Sequence, residues 1–242
     1  MKKILLGIIV VGLSTLVGCE KEDDSDTETT DSTETTSDDS LIEYGEGATD
    51  IDGNIYTSVI IGDQEWMVEN LRTTNYSDGT PIPNDTVIDT LSYSGACFNY
   101  EHDSKYESTY GKLYNWYAVE TGKLAPKGWH VPTDSEWKVL TDYLAANGHT
   151  GTALKSKSGW NDNWWDGTSG NGTDDYGWNG LPGGYLDHEG NFRTIGNDGF
   201  WWSSSHDFPS AARSFNLHLL DDVYRSPNDS KRNGFSVRCL RD

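Results

Sequence analysis

The 242-residue chain carries 39 acidic against 18 basic side chains, a formal net charge of −21 at pH 7. Such a balance argues against a nucleic-acid partner and against a face laid flat on anionic lipid. Divalent cations and neutral, hydroxyl-rich ligands remain compatible with it.

The first signal in chain order is Lys2 and Lys3, an apolar run over 4–17, and the sequence Leu16-Val17-Gly18-Cys19. The run is too short for a membrane span and lacks a stop-transfer flank. A basic start, a short apolar core and a small residue before cysteine resemble a bacterial lipoprotein signal. The resemblance implies cleavage before Cys19, a diacylglyceryl thioether on its sulfur and an acyl group on its new amine, so that residues 1–19 direct export and Cys19 holds the chain to a membrane. Residues 20–47 carry twelve acids against Lys21 alone, with Leu41, Ile42 and Tyr44 their only sizeable apolar side chains. Such a stretch cannot bury enough apolar surface to offset its ordering entropy, and its like charges extend it, so it reads as a disordered tether. Glu20-Lys21-Glu22-Asp23-Asp24 resembles the acidic surface-export signal of Bacteroidota lipoproteins, and Asp31-Ser32-Thr33 and Asp39-Ser40-Leu41 resemble that phylum's O-glycosylation sequon. These likenesses imply an outer-membrane lipoprotein facing outward. The alternative is an ordinary polar linker in the periplasm.

Residues 48–242 have the size of one domain, which buries roughly 70% of its unfolded surface in a single core. Residues 53–71 read as a β-hairpin: Ile55, Val59, Ile61, Trp66 and Val68 supply apolar and β-branched side chains around a Gly62-Asp63 turn. Residues 78–84, with Gly79, Pro81 and Pro83, read as a loop. Over 110–119 Leu113, Trp116 and Tyr117 fall at helical spacing, which predicts a short helix ending near Gly122. Thr133 followed by Glu136 forms a capping box, and Trp137, Leu140, Tyr143 and Leu144 line one helix face until Asn147-Gly148. From 159 to 184 Gly, Asn, Asp and Trp dominate without helical period. Short strands are then expected at 185–187, 192–195, 200–204, 212–219 and 235–240, with turns at His188-Glu189-Gly190 and Asp221-Asp222. The sum is α+β: two short helices, short antiparallel strands and long loops.

With Cys19 lipidated, Cys97 and Cys239 remain as an even pair in an oxidising compartment. A bridge between them closes a loop of about 140 residues and contributes about 4–5 kcal/mol in the chain-entropy picture. Two separately buried thiols are the alternative.

Five ordered blocks carry a further likeness: Tyr110-Gly111-Lys112-Leu113-Tyr114-Asn115-Trp116-Tyr117-Ala118, Gly128-Trp129-His130-Val131-Pro132-Thr133-Asp134-Ser135-Glu136-Trp137, Leu181-Pro182-Gly183-Gly184-Tyr185, Trp201-Trp202-Ser203-Ser204-Ser205 and Gly234-Phe235-Ser236-Val237-Arg238-Cys239. From about residue 53 to 242 they resemble the Fibrobacter succinogenes major paralogous domain, a family common in secreted and surface lipoproteins. More remotely, 131–137 and 234–239 are similar to formylglycine-generating enzymes, which implies a C-type-lectin-like fold. The activity does not follow, because those enzymes use a closely placed cysteine pair and no second cysteine accompanies Cys97 or Cys239 in sequence.

The sharpest candidate site is Trp160, Asn161, Asp162, Trp164, Trp165 and Asp166, with Trp178 beyond. Flat aromatic faces stack on sugar rings, and Asn and Asp bond hydroxyls or coordinate calcium through oxygen; Asp162, Asp174 and Asp175 are the calcium candidates. Trp160-Asn161-Asp162 resembles a calcium-and-sugar tripeptide of C-type lectins, although the companion Glu-Pro-Asn element is missing. The alternative is that these tryptophans form a satellite core under a long loop. Ser203 to Asp207 lacks a nucleophile elbow and reads as a strand end and turn. The six histidines show no zinc spacing. Together these features describe a surface-anchored, non-catalytic binding or adhesion module for polysaccharide or glycoprotein, held to a membrane by its lipid. An oxidoreductase of the formylglycine-generating type and a structural component of an envelope assembly are the alternatives.

Overall fold

The computed structural model describes residues 42–84, 93–220 and 223–242. Cys19, the signal, most of the tether and the turn expected at Asp221-Asp222 lie outside the described residues. The chain begins with strands Glu43–Tyr44 (β1), Ala48–Thr49 (β2), Ile55–Tyr56 (β3), Ser58–Ile61 (β4) and Gln64–Met67 (β5). Cys97–Phe98 (β6), helix Glu107–Tyr110 (α1), Leu113–Asn115 (β7), helix Trp116–Glu120 (α2) and Trp129–His130 (β8) follow. Helix Asp134–Ala146 (α3) comes next, then Tyr185–Leu186 (β9), Phe192–Arg193 (β10) and Asp198–Trp202 (β11). Ala211–His218 (β12), Val223–Ser230 (β13), Gly234–Phe235 (β14) and Leu240–Arg241 (β15) complete the order. Strands with a few short helices make the α+β arrangement that the sequence implies. No described helix is long and apolar enough to cross a membrane.

Two five-stranded sheets run β1-β4-β5-β15-β8 and β10-β9-β14-β7-β6; a third runs β11-β12-β13, and β2 pairs with β3. The expected hairpin is β4–β5, with Ile61 opposite Gln64 across Gly62-Asp63. Gly62 has φ +61°, and a Cβ there would lie 2.8 Å from the Tyr143 ring of α3, so both turn and packing require glycine. The capping box is formed: the Thr133 hydroxyl accepts from the Glu136 amide while the Glu136 carboxylate accepts from the Thr133 amide. Trp137 of α3 then stacks on Phe215 of β12 with ring centroids 4.2 Å apart and planes 9° off parallel.

Several expectations need correction. The single helix over 110–119 is broken. Gly111, at φ +72°, follows α1; Leu113–Asn115 pair with β6 and β14, and the Asn115 carboxamide then caps α2 by accepting from the Ala118 amide. Ladder pairing overrides helical spacing here. Glu43 and Tyr44, expected within a disordered tether, instead pair with Ile60 and Val59 as a sheet edge. Strand β13 was not expected: its polar sequence contains Pro227, which sits where the β12–β13 register shifts. An edge strand at a bulge is where a residue without an N–H is tolerated. No disulfide joins Cys97 and Cys239. Cys97 is fixed on β6 opposite Tyr114, and the Cys239 carbonyl accepts from the Met67 amide, so both sulfurs pack within one apolar cluster. Burial pushes the Cys239 thiol well above its ordinary range.

The final strand, expected as one piece over 235–240, divides between two sheets. Gly234–Phe235 pairs with β7 and Gly234 with β9; Leu240 pairs with Trp66 of β5 and His130 of β8. Between them Ser236 bonds Phe200 and Trp202 of β11 through its backbone. Eight consecutive residues therefore stitch three sheets together. At their centre Arg238 is wholly buried. Its Nε and Nη2 donate to the Asn70 Oδ1 at 3.2 and 2.9 Å, Nη1 donates to the Trp178 carbonyl, and the guanidinium lies 3.9 Å from the Trp178 ring centroid. Asn70 Oδ1 also accepts from the Trp201 indole at 2.8 Å. Desolvation pushes the Arg238 pKa down to about 9, against the opposing pull of Glu69 and Asp174.

Two outcomes are expected. Arg238→Met keeps the volume but leaves carbonyl acceptors without a donor, so it should destabilise the fold by about 2–4 kcal/mol in urea titration; a change within about 0.5 kcal/mol would show that the guanidinium is dispensable. Thr133→Ala should remove about 1 kcal/mol at neutral pH. Burial raises the Glu136 carboxyl, but its bonds from Thr133 and the charge of His130 lower it further, to a net value below 4.5. A lowered carboxyl stabilises the fold above its unfolded pKa, so the Thr133→Ala deficit should shrink as pH falls through that range. Urea midpoints measured at pH 7 and pH 4 check this.

Candidate functional site

The tryptophan-dense segment folds as a short hairpin over 161–170. Its stem is an antiparallel bridge between Asp162 and Ser169, extended by the Asn163 amide donating to the Thr168 carbonyl at 2.7 Å. Side chains close the tip. The Trp165 amide donates to the Asn163 Oδ1 at 2.9 Å, and the Thr168 amide and hydroxyl both donate to one Asp166 oxygen, at 3.0 and 2.7 Å. These are the local bonds by which Asn and Asp favour turns. The Thr168 amide and hydroxyl hold the Asp166 carboxyl below its ordinary value. At the base, the Asn161 amide donates to the Gly196 carbonyl and its side-chain amide to Asn197, which tie the hairpin to the turn before β11.

This geometry divides the predicted site residues. Trp164 and Trp165 stand at the tip, 77% and 78% exposed, with ring centroids 5.1 Å apart and planes at 82°. Asn161, Asp162 and Asp166 are exposed around them. Trp160 and Trp178 are not part of any such surface: they are 4% and 0% exposed. The Trp160 indole donates to the Ser156 hydroxyl and the Gly180 carbonyl, with the Lys155 ammonium 4.2 Å from its ring centroid. Trp178 lies among Trp66, Trp137, Trp201 and Phe215 under the Arg238 guanidinium. The satellite-core reading therefore holds for Trp160 and Trp178, while Trp164 and Trp165 lie at the surface.

The calcium candidates are not gathered. Asp162 stands on the hairpin stem, Asp174 accepts from the Asn179 amide at 2.7 Å, and Asp175 lies 3.2 Å from His149. Burial raises the Asp174 carboxyl, opposed by that amide and by Arg238. Among the described residues no group of three or more His, Cys, Asp or Glu is placed to hold a metal ion. The serines near Trp202 serve backbone: Ser203 Oγ accepts from the Ser205 amide, Ser205 Oγ from the Asp134 amide, and His206 packs edge-on to Trp116.

Sequence reasoning missed two features. His130 is gripped by two carboxylates, Asp242 on Nδ1 at 2.8 Å and Glu136 on Nε2 at 3.0 Å, beside a cavity of about 180 Å³ lined by Leu124, Val131 and Ser204. Asp242 lies 112 positions from His130, so spacing gave no sign of the pairing. Lys112, one residue before β7, is buried against Asn99 and Glu107, and a lone lysine in a tyrosine-rich stretch gives no warning of it.

No curated protein and no solved structure matches the chain. The family model described as the Fibrobacter succinogenes major domain matches residues 59–241, which run from within β4 through the stitching C-terminal segment and include the hairpin with its two exposed indoles. The chain belongs to that family.

Proposed function

We propose that this protein is a lipid-anchored surface module that binds neutral glycan, without catalysing a reaction, through the Trp164–Trp165 hairpin tip. The supporting observation is the exposure of two large indoles on a turn locked by side-chain bonds. Exposed tryptophan faces stack on the apolar C–H face of a sugar ring, and a fixed turn reduces the ordering entropy lost on binding. Asn161, Asp162 and Asp166 supply hydroxyl partners nearby. The acidity of the chain favours neutral over polyanionic saccharides. A C-type-lectin-like arrangement fits the α+β fold and its long loops, and belongs to this reading. So does anchorage through Cys19 on the outer membrane, facing outward, with the acidic stretch after it as spacer. The reading does not rest on calcium: Asp162, Asp174 and Asp175 have separate neighbours. The oxidoreductase alternative is weakened by the complete burial of Cys97 and Cys239, because a thiol out of reach of solvent is a poor nucleophile, and burial also pushes the Cys239 thiol up.

Polysaccharide pull-down and glycan-array binding test the proposal. Each stacked ring is worth about 0.5–1.5 kcal/mol beyond its buried area, so Trp164→Ala with Trp165→Ala should weaken binding by roughly tenfold to a hundredfold. Thermal stability should stay within about 2 °C of wild type, because neither ring packs in the core. Glycan binding undiminished in the double variant would rule out this tip.

A further inference from the structure

Lys112 is among the most deeply buried charged side chains in the domain, with 2% of its side chain exposed. Its Nζ donates to Asn99 Oδ1 at 2.8 Å and to Glu107 Oε2 at 2.9 Å. Strand register explains the encounter: Cys97 faces Tyr114 and Phe98 faces Leu113, so the next rung sets Asn99 opposite Lys112. Asn99 precedes a short 3-10 turn, yet its side chain caps nothing there. A carboxamide C=O is about 1.23 Å long, so the Asn99 Cγ lies no more than about 4 Å from the lysine nitrogen. An amine, a carboxamide carbon and a carboxylate able to carry protons thus meet in one place, close to near-attack separation.

We propose that Lys112 and Asn99 are joined by an autocatalytic isopeptide bond, with Glu107 as the proton carrier. Glu107 takes a proton from the lysine ammonium, and the freed amine attacks the Asn99 Cγ. Its proton then passes through Glu107 to the carboxamide nitrogen, the Cγ–Nδ2 bond breaks and the nitrogen departs as ammonia, which leaves with the lysine's original extra proton as ammonium. One C–N bond forms and one breaks; no oxidant, metal or cofactor is needed. The product staples β6 to β7 across the 99–112 segment, in which Glu101 and His102 both hold positive φ, at 52° and 57°. Two consecutive non-glycine residues in that region are costly locally, and a covalent clasp at the segment's ends retains them. The bond also supplies a crosslink indifferent to reducing conditions, in a domain where Cys97 and Cys239 are not bridged.

Peptide mass spectrometry of the denatured, trypsin-digested full chain decides the matter. The proposal requires a branched species joining peptide 73–105 to peptide 106–123, uncut after residue 112 and lighter by one ammonia than the two peptides together. Lys112→Arg keeps the positive charge and must abolish the branched species while circular dichroism shows the fold intact. Glu107→Gln should slow its formation by about a hundredfold or more, the scale of general acid–base assistance. Separate, unmodified 73–105 and 106–112 peptides from the wild type would overturn the proposal and leave Lys112 as a buried ion pair. Formation at the wild-type rate in Glu107→Gln would overturn the proton route assigned to Glu107.

Discussion

The guanidinium of Arg238 is the constraint on which the rest of the architecture depends. It reaches Asn70 at the end of the first hairpin, the carbonyls of Trp178 and Asn179 in the loop-rich half, and the faces of Trp178 and Trp201. Asn70 in turn donates to the Tyr110 carbonyl at the end of α1. A hydrophobic side chain at this position would fill space but could not name which carbonyls and which rings must meet. The planar, five-donor fork can, and that specificity offsets part of the desolvation that burial imposes.

The same device recurs with lysine in place of arginine. Lys155 lies over Trp160 and Lys231 lies 4.0 Å from the Trp116 ring centroid, both lysines being buried. Each ammonium lies over an indole face and also reaches oxygen acceptors. Lys155 bonds the His218 and Leu219 carbonyls, and Lys231 meets Glu120 at 3.4 Å. A chain poor in aliphatic residues but holding ten tryptophans builds its interior this way. Indoles supply the buried area, and cations on their faces supply direction. Among the described residues no cation lies over Trp164 or Trp165, and both stand exposed at the surface.

What the sequence made legible follows from how local each signal is. The capping box at Thr133 and the Gly62-Asp63 turn each rest on a few adjacent residues, and both are present as read. The helix over 110–119 failed because periodicity within ten residues says nothing about a ladder offered by β6 and β14 from elsewhere. Strand β13 escaped notice because it is polar, edge-lying and interrupted by proline, all of which weaken alternation. For the candidate site, composition marked an aromatic and acidic stretch but could not sort its buried from its exposed indoles. Trp160 is drawn inward by Ser156 and Gly180, while Trp164 and Trp165 are turned outward by an Asn163 that closes the bend beneath them. Cysteine parity suggested a bridge; strand β6 and the segment before β15 place Cys97 and Cys239 in one cluster without joining them.

The stitching segment also sets a timetable. Asn70 and Arg238 are 168 positions apart, and the edge of β5 has no partner on one side until Leu240 arrives. At synthesis rates of about 5–20 residues per second, the early hairpin waits for roughly ten to thirty seconds with Trp66 and an unpaired ladder open to neighbours. Contacts so distant also make assembly slow once every residue is present. Closure is accordingly a late, collective event. Until the last turn of thread is drawn through, a nascent copy is a substrate for proteases and a template for misassociation.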